Sequence, residues 1–210
     1  MNEYQEEAHI ILNRAKTYLT DPKKVHISTN KNGTILSKKD LDTSPISCYM
    51  LETVLKKPAS VLASHIWDVD ENIVKKYDHD ITYWTEIEKS QKGEKGDAWK
   101  VCHQTTSAPW PIWPRELAFA QVKIQDDKDN TIWLVAFSIS HEKVPLRDKE
   151  FVRAVILMSI WGFTPMNENE NETKVTRVVH VEPRGSIPTW AVNAAVNKHV
   201  GIVENLALRT

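Results

Sequence analysis

The stretch that decides the fold is "EPRGSIPTWAVNAAVNKHVGIVENLAL", residues 182 to 208. It contains a turn signal with glycine and then Pro188, a residue type that is favoured at the start of a helix. We therefore expect a C-terminal helix over residues 187–208, with one broad apolar face. That face consists of Val192, Ala195, Val196, His199, Ile202, Val203 and Leu206. Elements that precede the helix in the chain must cover this face.

The composition is that of an ordinary globular domain. The chain has 210 residues, of which 41% are hydrophobic and 26% are charged, so we expect one domain over residues 1–210. A formal net charge of -1 provides no overall field that would attract nucleic acid. The N-terminus lacks the pattern of a secretory leader, and no run approaches the roughly 18 apolar residues of a membrane span. These features predict a cytoplasmic protein in which Cys48 and Cys102 stay reduced.

Periodic patterns predict one long N-terminal helix, two short helices and many strands. Residues 1–20 place apolar side chains at helical spacing, and "PASVLASHIWD" and "DENIVKKYD" predict short helices, the second capped by Asp70. Short β-rich runs precede these helices, and six strand candidates follow them, separated by loops such as "QKGEKGD" and "NENENE". The pattern predicts an α+β fold with an antiparallel sheet.

The strand "TIWLVAFSIS" is apolar at both sets of alternating positions, so both faces of the predicted sheet should be covered. One terminal helix is too narrow to fill the concave face of a broad curved sheet. The pattern therefore permits an internal cavity between the sheet and the helix. Periodicity alone leaves a solid core as the alternative.

Three stretches resemble successive landmarks of START domains, the lipid-transfer domains related to the steroidogenic acute regulatory protein. They are "APWPIWPRELAFAQ", "EKVPLRDKEFVRAVILMSIWGF" and "TKVTRVVHVEPRGSIPTWAVNAAV", and the resemblance runs over residues 45–208. It implies a helix-grip fold, in which a curved antiparallel sheet wraps around a long C-terminal helix with an internal lipid tunnel. It also implies a monomer that carries one membrane lipid and has no catalytic residue, cofactor or metal.

The resemblance points to phospholipid-carrying members, with departures from their choline site. Asp78 matches an acid that meets the lipid phosphate through an arginine in those members, but Val74 occupies the position of the arginine. Gln121 stands where many members carry another arginine. We therefore expect broad phospholipid binding, with a sterol or a ceramide as the alternative cargo.

The candidate lipid-binding residues combine polar side chains with the apolar face of the last helix. They are Asp78, Tyr83, His103, Gln121, Arg153, Arg177, Val192, Val196, His199, Val203 and Leu206. A buried arginine needs a partner, so either Arg153 or Arg177 would contact a phosphate if it faced inward. On an outward face, either arginine would be solvated.

Two loops are candidates for membrane contact. In "HEKVPLRDKE", Val144, Pro145 and Leu146 form an apolar tip with basic neighbours, which either enters a headgroup layer or folds back onto the protein. In "PWPIWP", Trp110 and Trp113 either anchor at a membrane interface or pack inside. The expected partners are thus a membrane lipid and, transiently, a membrane surface, with no nucleic acid.

Two other functional classes remain open on the sequence. A lipid or terpenoid sensor would signal its loaded state to a protein partner. An enzyme on a related scaffold would need an acid or base in the tunnel, for which His103 and Asp78 are the candidates. The chain contains no glycine-rich phosphate loop, nucleophile elbow, zinc-protease motif or paired-cysteine motif. We therefore expect a carrier and not an enzyme.

Overall fold

The computed structural model describes residues 1–91, 97–166 and 171–209, except for the side chains of residues 189, 190 and 193. The helices are α1 (Glu3–Thr20), α2 (Ala59–Trp67), α3 (Glu71–Tyr77) and α4 (Thr189–Asn205), which continues as a short 3-10 helix (Leu206–Leu208). The strands are β1 (Val25–Thr29), β2 (Ile35–Leu41), β3 (Ser44–Leu55), β4 (Ile81–Lys89), β5 (Ala98–Thr106), β6 (Arg115–Asp126), β7 (Thr131–Ser138), β8 (Val152–Arg153), β9 (Val155–Pro165) and β10 (Thr173–Glu182).

The strands form one sheet in the order β1-β2-β3-β10-β9-β7-β6-β5-β4, and all neighbours along this path are antiparallel. The short β8 lies off this path and pairs in parallel with the start of β6. Helix, strand and cap predictions agree with this structure, and Asp70 accepts a hydrogen bond from the amide of Ile73 at 2.8 Å. The run 151–163 was expected as one strand, but it divides at Ala154 into β8 and β9. Most of the predicted loops "QKGEKGD" and "NENENE" falls outside the described residues.

One face of the sheet, the α1 face, packs against the N-terminal helix. Ile11 and Leu12 of α1 join a buried cluster with Val122, Trp133 and Val135 of the central strands. Because the apolar side of α1 covers these residues, this face contributes a filled core. A side chain at Gly162, opposite Trp133 in the sheet, would overlap the indole ring.

The other face, the α4 face, packs against α2, α4 and the 3-10 helix. Leu134 and Phe163 of the sheet cluster there with Leu62, Val203 and Leu206. Neighbouring residues of β7 therefore serve opposite faces, as the doubly apolar pattern predicted. The curved antiparallel sheet and its C-terminal helix make the helix-grip fold. Among the described residues, no helix has the length and apolar character needed to cross a membrane.

Candidate functional site

The apolar surfaces of α4 and of the sheet are closely packed only at the C-terminal end of the helix. Val203 and Leu206 are fully buried there, whereas Val192 and Val196, about two to four turns earlier, are half-buried. Ser159, in the middle of β9 on the same face, also retains accessible surface. A residue beneath a helix in a central strand keeps such surface where packing leaves a gap. The half-buried state of Val192, Val196 and Ser159 indicates a space between the first half of α4 and the sheet.

His199 faces this space from α4, at helical spacing between Val196 and Val203. Burial, with smaller contributions from the positive charges of Arg177 and Lys198, lowers the pKa of His199 to about 3. The same side chain keeps part of its surface accessible. Partial exposure at this position indicates that the sheet does not pack closely against His199. His199 is therefore neutral at physiological pH.

Arg177, on β10, is a buried cation on the α4 face and is only 6% exposed. Its partners in the sheet are Leu51 and Trp161, which both belong to the apolar cluster beneath α4. Its Nη1 donates to the carbonyls of Ile160 and Val178 at 3.1 and 3.0 Å. Burial lowers the pKa of Arg177 to about 9. Of the two candidate arginines, whose orientation the sequence left open, Arg177 lies on the α4 face.

Two further polar side chains lie on the α4 face. Gln121 is buried and stands between Lys100 and Ala136 of the adjacent strands. The Lys100 Nζ donates to the carbonyl of Trp67 at 2.6 Å and lies 4.8 and 5.4 Å from the ring centroids of Trp67 and Trp84. Burial lowers the pKa of Lys100. The chain therefore places its own ammonium against an aromatic pair, beside a cavity of about 860 Å³.

Asp78 meets a protein cation at the boundary between α3 and β4. The Nζ of Lys198, on α4, bonds to the carboxylates of both Asp78 and Asp80. Burial opposes the charge of Lys198, but the two carboxylates outweigh it and raise the pKa of Lys198. These ion pairs connect α4 to the start of β4. Asp78, which matches the acid near the phosphate in phospholipid-carrying START domains, therefore already has a cationic partner within the protein.

Three other expected ligand contacts lie on the opposite face. On β6, Ala120 and Val122 belong to the α1 face, so alternation places Glu116 and Ala118 on that face as well. His103 stands opposite Ala118 in the register of β5 and β6. The same alternation places Tyr83 on the outer face of β4, where it is 41% exposed and its ring contacts that of His103. The expectation that Tyr83, His103 and Arg153 reach the ligand therefore differs from the structure.

His103 and Arg153 instead belong to a buried ion cluster around Glu116, which is 1% exposed. The His103 Nε2 lies 2.9 Å from Glu116 Oε1, and Arg153 Nη2 donates to Oε2 at 2.7 Å. Arg147 adds a bond from Nε to Oε1 at 2.7 Å. Burial raises the pKa of Glu116, but these hydrogen bonds outweigh it and lower that pKa overall. The Glu116 cluster binds three segments of the chain together.

The loop with the apolar tip divides its residues between the interior and solvent. Val144 is 3% exposed and folds back onto the protein, whereas Leu146 is 70% exposed and Pro145 is exposed beside it. The membrane-contact expectation for Val144 is therefore corrected, because the side chain is already buried. A cavity of about 650 Å³ lies beneath this loop, lined in part by Val144, Leu146 and Arg153.

The proline-rich loop presents its indole rings to solvent. Trp110 is 90% exposed and Trp113 is 55% exposed, so the alternative in which both pack inside does not match the structure. The buried Arg115 joins this loop to the segment before α4, since its Nε and Nη2 donate to the carbonyls of Pro183 and Arg184 at 3.1 and 2.8 Å. The exposed rings and the entry to α4 therefore lie at the same end of the sheet.

The comparison with protein families agrees with this geometry. Residues 4–205 match the START domain family. The chain belongs to this family. Among solved structures, human StAR-related lipid transfer protein 5 superposes on the START domain with a TM-score of 0.76 and 17% identity, over 97% of this chain and 94% of that one. A fragment of the STAR-related lipid transfer protein from Xanthomonas axonopodis gives a TM-score of 0.67 and 21% identity, over 88% of this chain and 96% of that one.

A curated relative is closer in sequence over a shorter region. An uncharacterised protein from Pseudomonas aeruginosa is 31% identical over 113 aligned residues, and the match covers 51% of this chain and 50% of that protein. The chain thus matches about half the length of this curated relative.

Sequence reasoning missed several residues that organise the site. Lys100, Arg115, Glu116 and Lys198 are all held in buried or half-buried polar contacts. A charged residue at an interior position of an apolar strand, as in "AWKVC" around Lys100, was the available signal. The signal marks a residue that needs a partner, and only the fold identifies that partner.

Proposed function

We propose that this START domain holds one phospholipid between α4 and the sheet and exchanges it between membranes. The observation that carries the proposal is the half-buried apolar surface of α4, which faces an apolar sheet across a space. Two apolar walls that do not meet provide a binding site for an apolar ligand. On the helix side Val192, Val196 and His199 are half-buried, and on the sheet side Ser159 of β9 is half-buried.

The physical chemistry of a lipid fits such a site. A phospholipid with two acyl chains carries on the order of 30 methylene groups, and each contributes about 0.8 kcal/mol to its preference for an apolar environment. Moving these chains from a bilayer into an apolar site exchanges one apolar environment for another, so the transfer has a small net free energy. The reaction breaks no covalent bond and requires no acid or base. His103 and Asp78, the candidates for those roles, are both bonded to protein side chains.

Broad phospholipid binding is favoured over a choline-specific site. An aromatic pair such as Trp67 and Trp84 would attract a quaternary ammonium group, but the Lys100 ammonium already lies against both rings. A choline headgroup would have to displace this buried cation from both rings. The pair therefore does not select choline.

Exchange requires contact with a membrane, for which the end of the sheet near the entry to α4 is suited. Trp110, Trp113 and Leu146 are exposed apolar side chains there, and Lys143 and Lys149 are exposed cations in the same loop as Leu146. Exposed aromatic and apolar side chains beside basic ones bind the interfacial layer of an anionic membrane. We expect this end to dock transiently while α4 moves to release the lipid.

The deciding experiment combines loading with transfer. The purified protein is incubated with vesicles of phosphatidylcholine, phosphatidylethanolamine, phosphatidylglycerol, cholesterol and ceramide, and native mass spectrometry then identifies the adduct. We expect one phospholipid per protein, with unchanged lipid mass, and transfer of a fluorescent phospholipid from donor to acceptor vesicles. A sterol or ceramide adduct would overturn the choice of cargo. An adduct without transfer would indicate a sensor, and the absence of any adduct would overturn the proposal.

A further inference from the structure

The guanidinium of Arg177 has hydrogen-bond donors that the protein does not use. A guanidinium carries five N–H donors. In this structure Nη1 donates twice to backbone carbonyls, and Nη2 donates to Ser159 Oγ at 2.8 Å. The buried Nε has no hydrogen-bond partner among the described residues. One donor on Nε and one on Nη2 thus remain for another acceptor.

The charge of Arg177 also has no counter-ion in the described part of the chain. No carboxylate oxygen of those residues lies within ion-pair distance of it, although the side chain is only 6% exposed. The contact that does stabilise the charge is the face of Trp161, whose ring centroid lies 4.7 Å from Arg177 Cζ. A buried cation without an anion is strongly destabilising unless a partner arrives.

The surroundings of Arg177 favour an anion as that partner. The carboxylates of Asp78 and Asp80 are paired with Lys198 of α4. His199, which faces the same space, is among the groups close enough to feel the charge of Arg177. The Arg177 guanidinium and the His199 imidazole can both donate hydrogen bonds to an oxyanion, and neither side chain carries a negative charge.

We propose that Arg177 binds the anionic group of the lipid, a phosphate or a carboxylate, within the space between α4 and the sheet. This inference rests on the proposed lipid-binding function and narrows its ligand class. A phosphate or carboxylate accepts two parallel N–H bonds from one guanidinium, which matches the two unused donors. The anionic group is therefore held among apolar residues, and neutral lipids lack the group that Arg177 requires.

The test compares lipids built from oleoyl chains and includes cholesterol as a lipid that has none. Native mass spectrometry measures loading from vesicles that contain equal amounts of dioleoyl phosphatidylcholine, dioleoyl phosphatidic acid, dioleoylglycerol, oleic acid and cholesterol. We expect the wild-type protein to load an oxyanion-bearing lipid at least about tenfold over dioleoylglycerol, since a hydrogen bond to a charged group contributes that much. A phospholipid adduct identifies phosphate as the source, whereas an oleate adduct identifies carboxylate and overturns only the choice of phospholipid.

Variants assign the preference to Arg177. Arg177→Met should load dioleoylglycerol as well as it loads the phospholipids, whereas Arg177→Lys should retain part of the preference because it keeps the charge. Lys174→Met is the matched control, because Lys174 is an exposed cation on the same strand. An unchanged preference in a folded Arg177→Met protein would overturn the proposal.

The outcomes separate this inference from the proposed function. Equal loading of dioleoylglycerol or cholesterol by the wild-type protein overturns the role of Arg177 but leaves a lipid carrier. No loading of any lipid overturns the carrier itself. If Arg177→Met fails to fold by circular dichroism, the wild-type comparison of phosphatidic acid with dioleoylglycerol still decides, because the two lipids differ only at the phosphate.

Discussion

Arg147, in the loop that carries Leu146, donates from Nε to the buried Oε1 of Glu116 at 2.7 Å. This hydrogen bond holds the loop with the exposed Leu146 against strand β6. Arg153 binds the other carboxylate oxygen at 2.7 Å, and His103 approaches Oε1. The Glu116 cluster therefore positions the loop that carries Leu146.

Glu116→Gln should destabilise the protein by about 3 kcal/mol, because it removes the buried carboxylate that His103, Arg147 and Arg153 share. The free energy of unfolding in urea, followed by circular dichroism, measures this loss. Glu150→Gln is the control, since Glu150 is 63% exposed and lies 3.7 Å from the same Arg147. A Glu116→Gln protein that is as stable as the control would show that the cluster does not fasten the loop.

Exchange of lipid should depend on the exposed loop tips. Leu146→Asp and Trp110→Asp should each slow vesicle-to-vesicle transfer about tenfold, because each removes apolar surface that enters the membrane. The bound lipid should remain by native mass spectrometry. Ile10→Asp on α1 alters a side chain that is 53% exposed but lies away from this end, so its transfer rate should stay unchanged. Equal rates for all three variants would contradict the docking surface.

The space beneath α4 should accept added volume at some positions only. Val196→Phe should lower the lipid-to-protein ratio without loss of stability, because Val196 is half-buried and faces the space. Val203→Phe should instead destabilise the protein by about 1–3 kcal/mol, because Val203 is fully buried. Thermal unfolding and native mass spectrometry distinguish the two effects. A large loss of stability in Val196→Phe would indicate a solid core.

Acidification should weaken the protein through His199 before its carboxylates protonate. The pKa of His199 falls from its ordinary value of 6.5 in the unfolded chain to about 3 in the folded protein, chiefly through burial. Between these values the unfolded chain binds the extra proton, so stability is present above pH 6.5 and is lost as the pH falls. The slope for one such group approaches about 1.4 kcal/mol per pH unit.

His199→Gln removes this proton-binding site and should flatten the dependence of unfolding free energy on pH between 6.5 and 5. Burial also lowers the pKa values of His65 and His180, so a smaller slope of the same sign should remain. Urea titrations at pH 8, 6.5, 5.5 and 5 measure the slopes. Equal slopes for wild type and variant would contradict the burial of a neutral His199.

The sequence predicted the elements well because its breakers and periodicities are local. Alternation in "TIWLVAFSIS" predicted two covered faces, and Trp133 and Leu134 indeed point to opposite sides. The division of β8 from β9 was not predictable, because it depends on the parallel pairing of Val152 with Arg115. That pairing joins segments whose contact no local pattern encodes.

The site was only partly predictable for a related reason. Alternation shows that Arg177 and Val178 face opposite sides, but the register with Leu51 and Trp161 decides which side meets α4. Both alternating sets of positions in strand β5 contain polar and apolar side chains. The local pattern therefore did not indicate that His103 would face Glu116. Polar partners were therefore the weakest part of the prediction.

The pairing of β3 with β10 has a consequence for how the chain reaches its native state. Thr173 of the last strand lies opposite Leu55 of the third strand, so the middle of the sheet joins segments that are distant in sequence. Such a closure loses much chain entropy before its contacts form, which makes folding slow. During synthesis, β3 has an unpaired edge until β10 has been made. Until then this edge is exposed to association with other chains, and a holding chaperone should raise the yield of native protein.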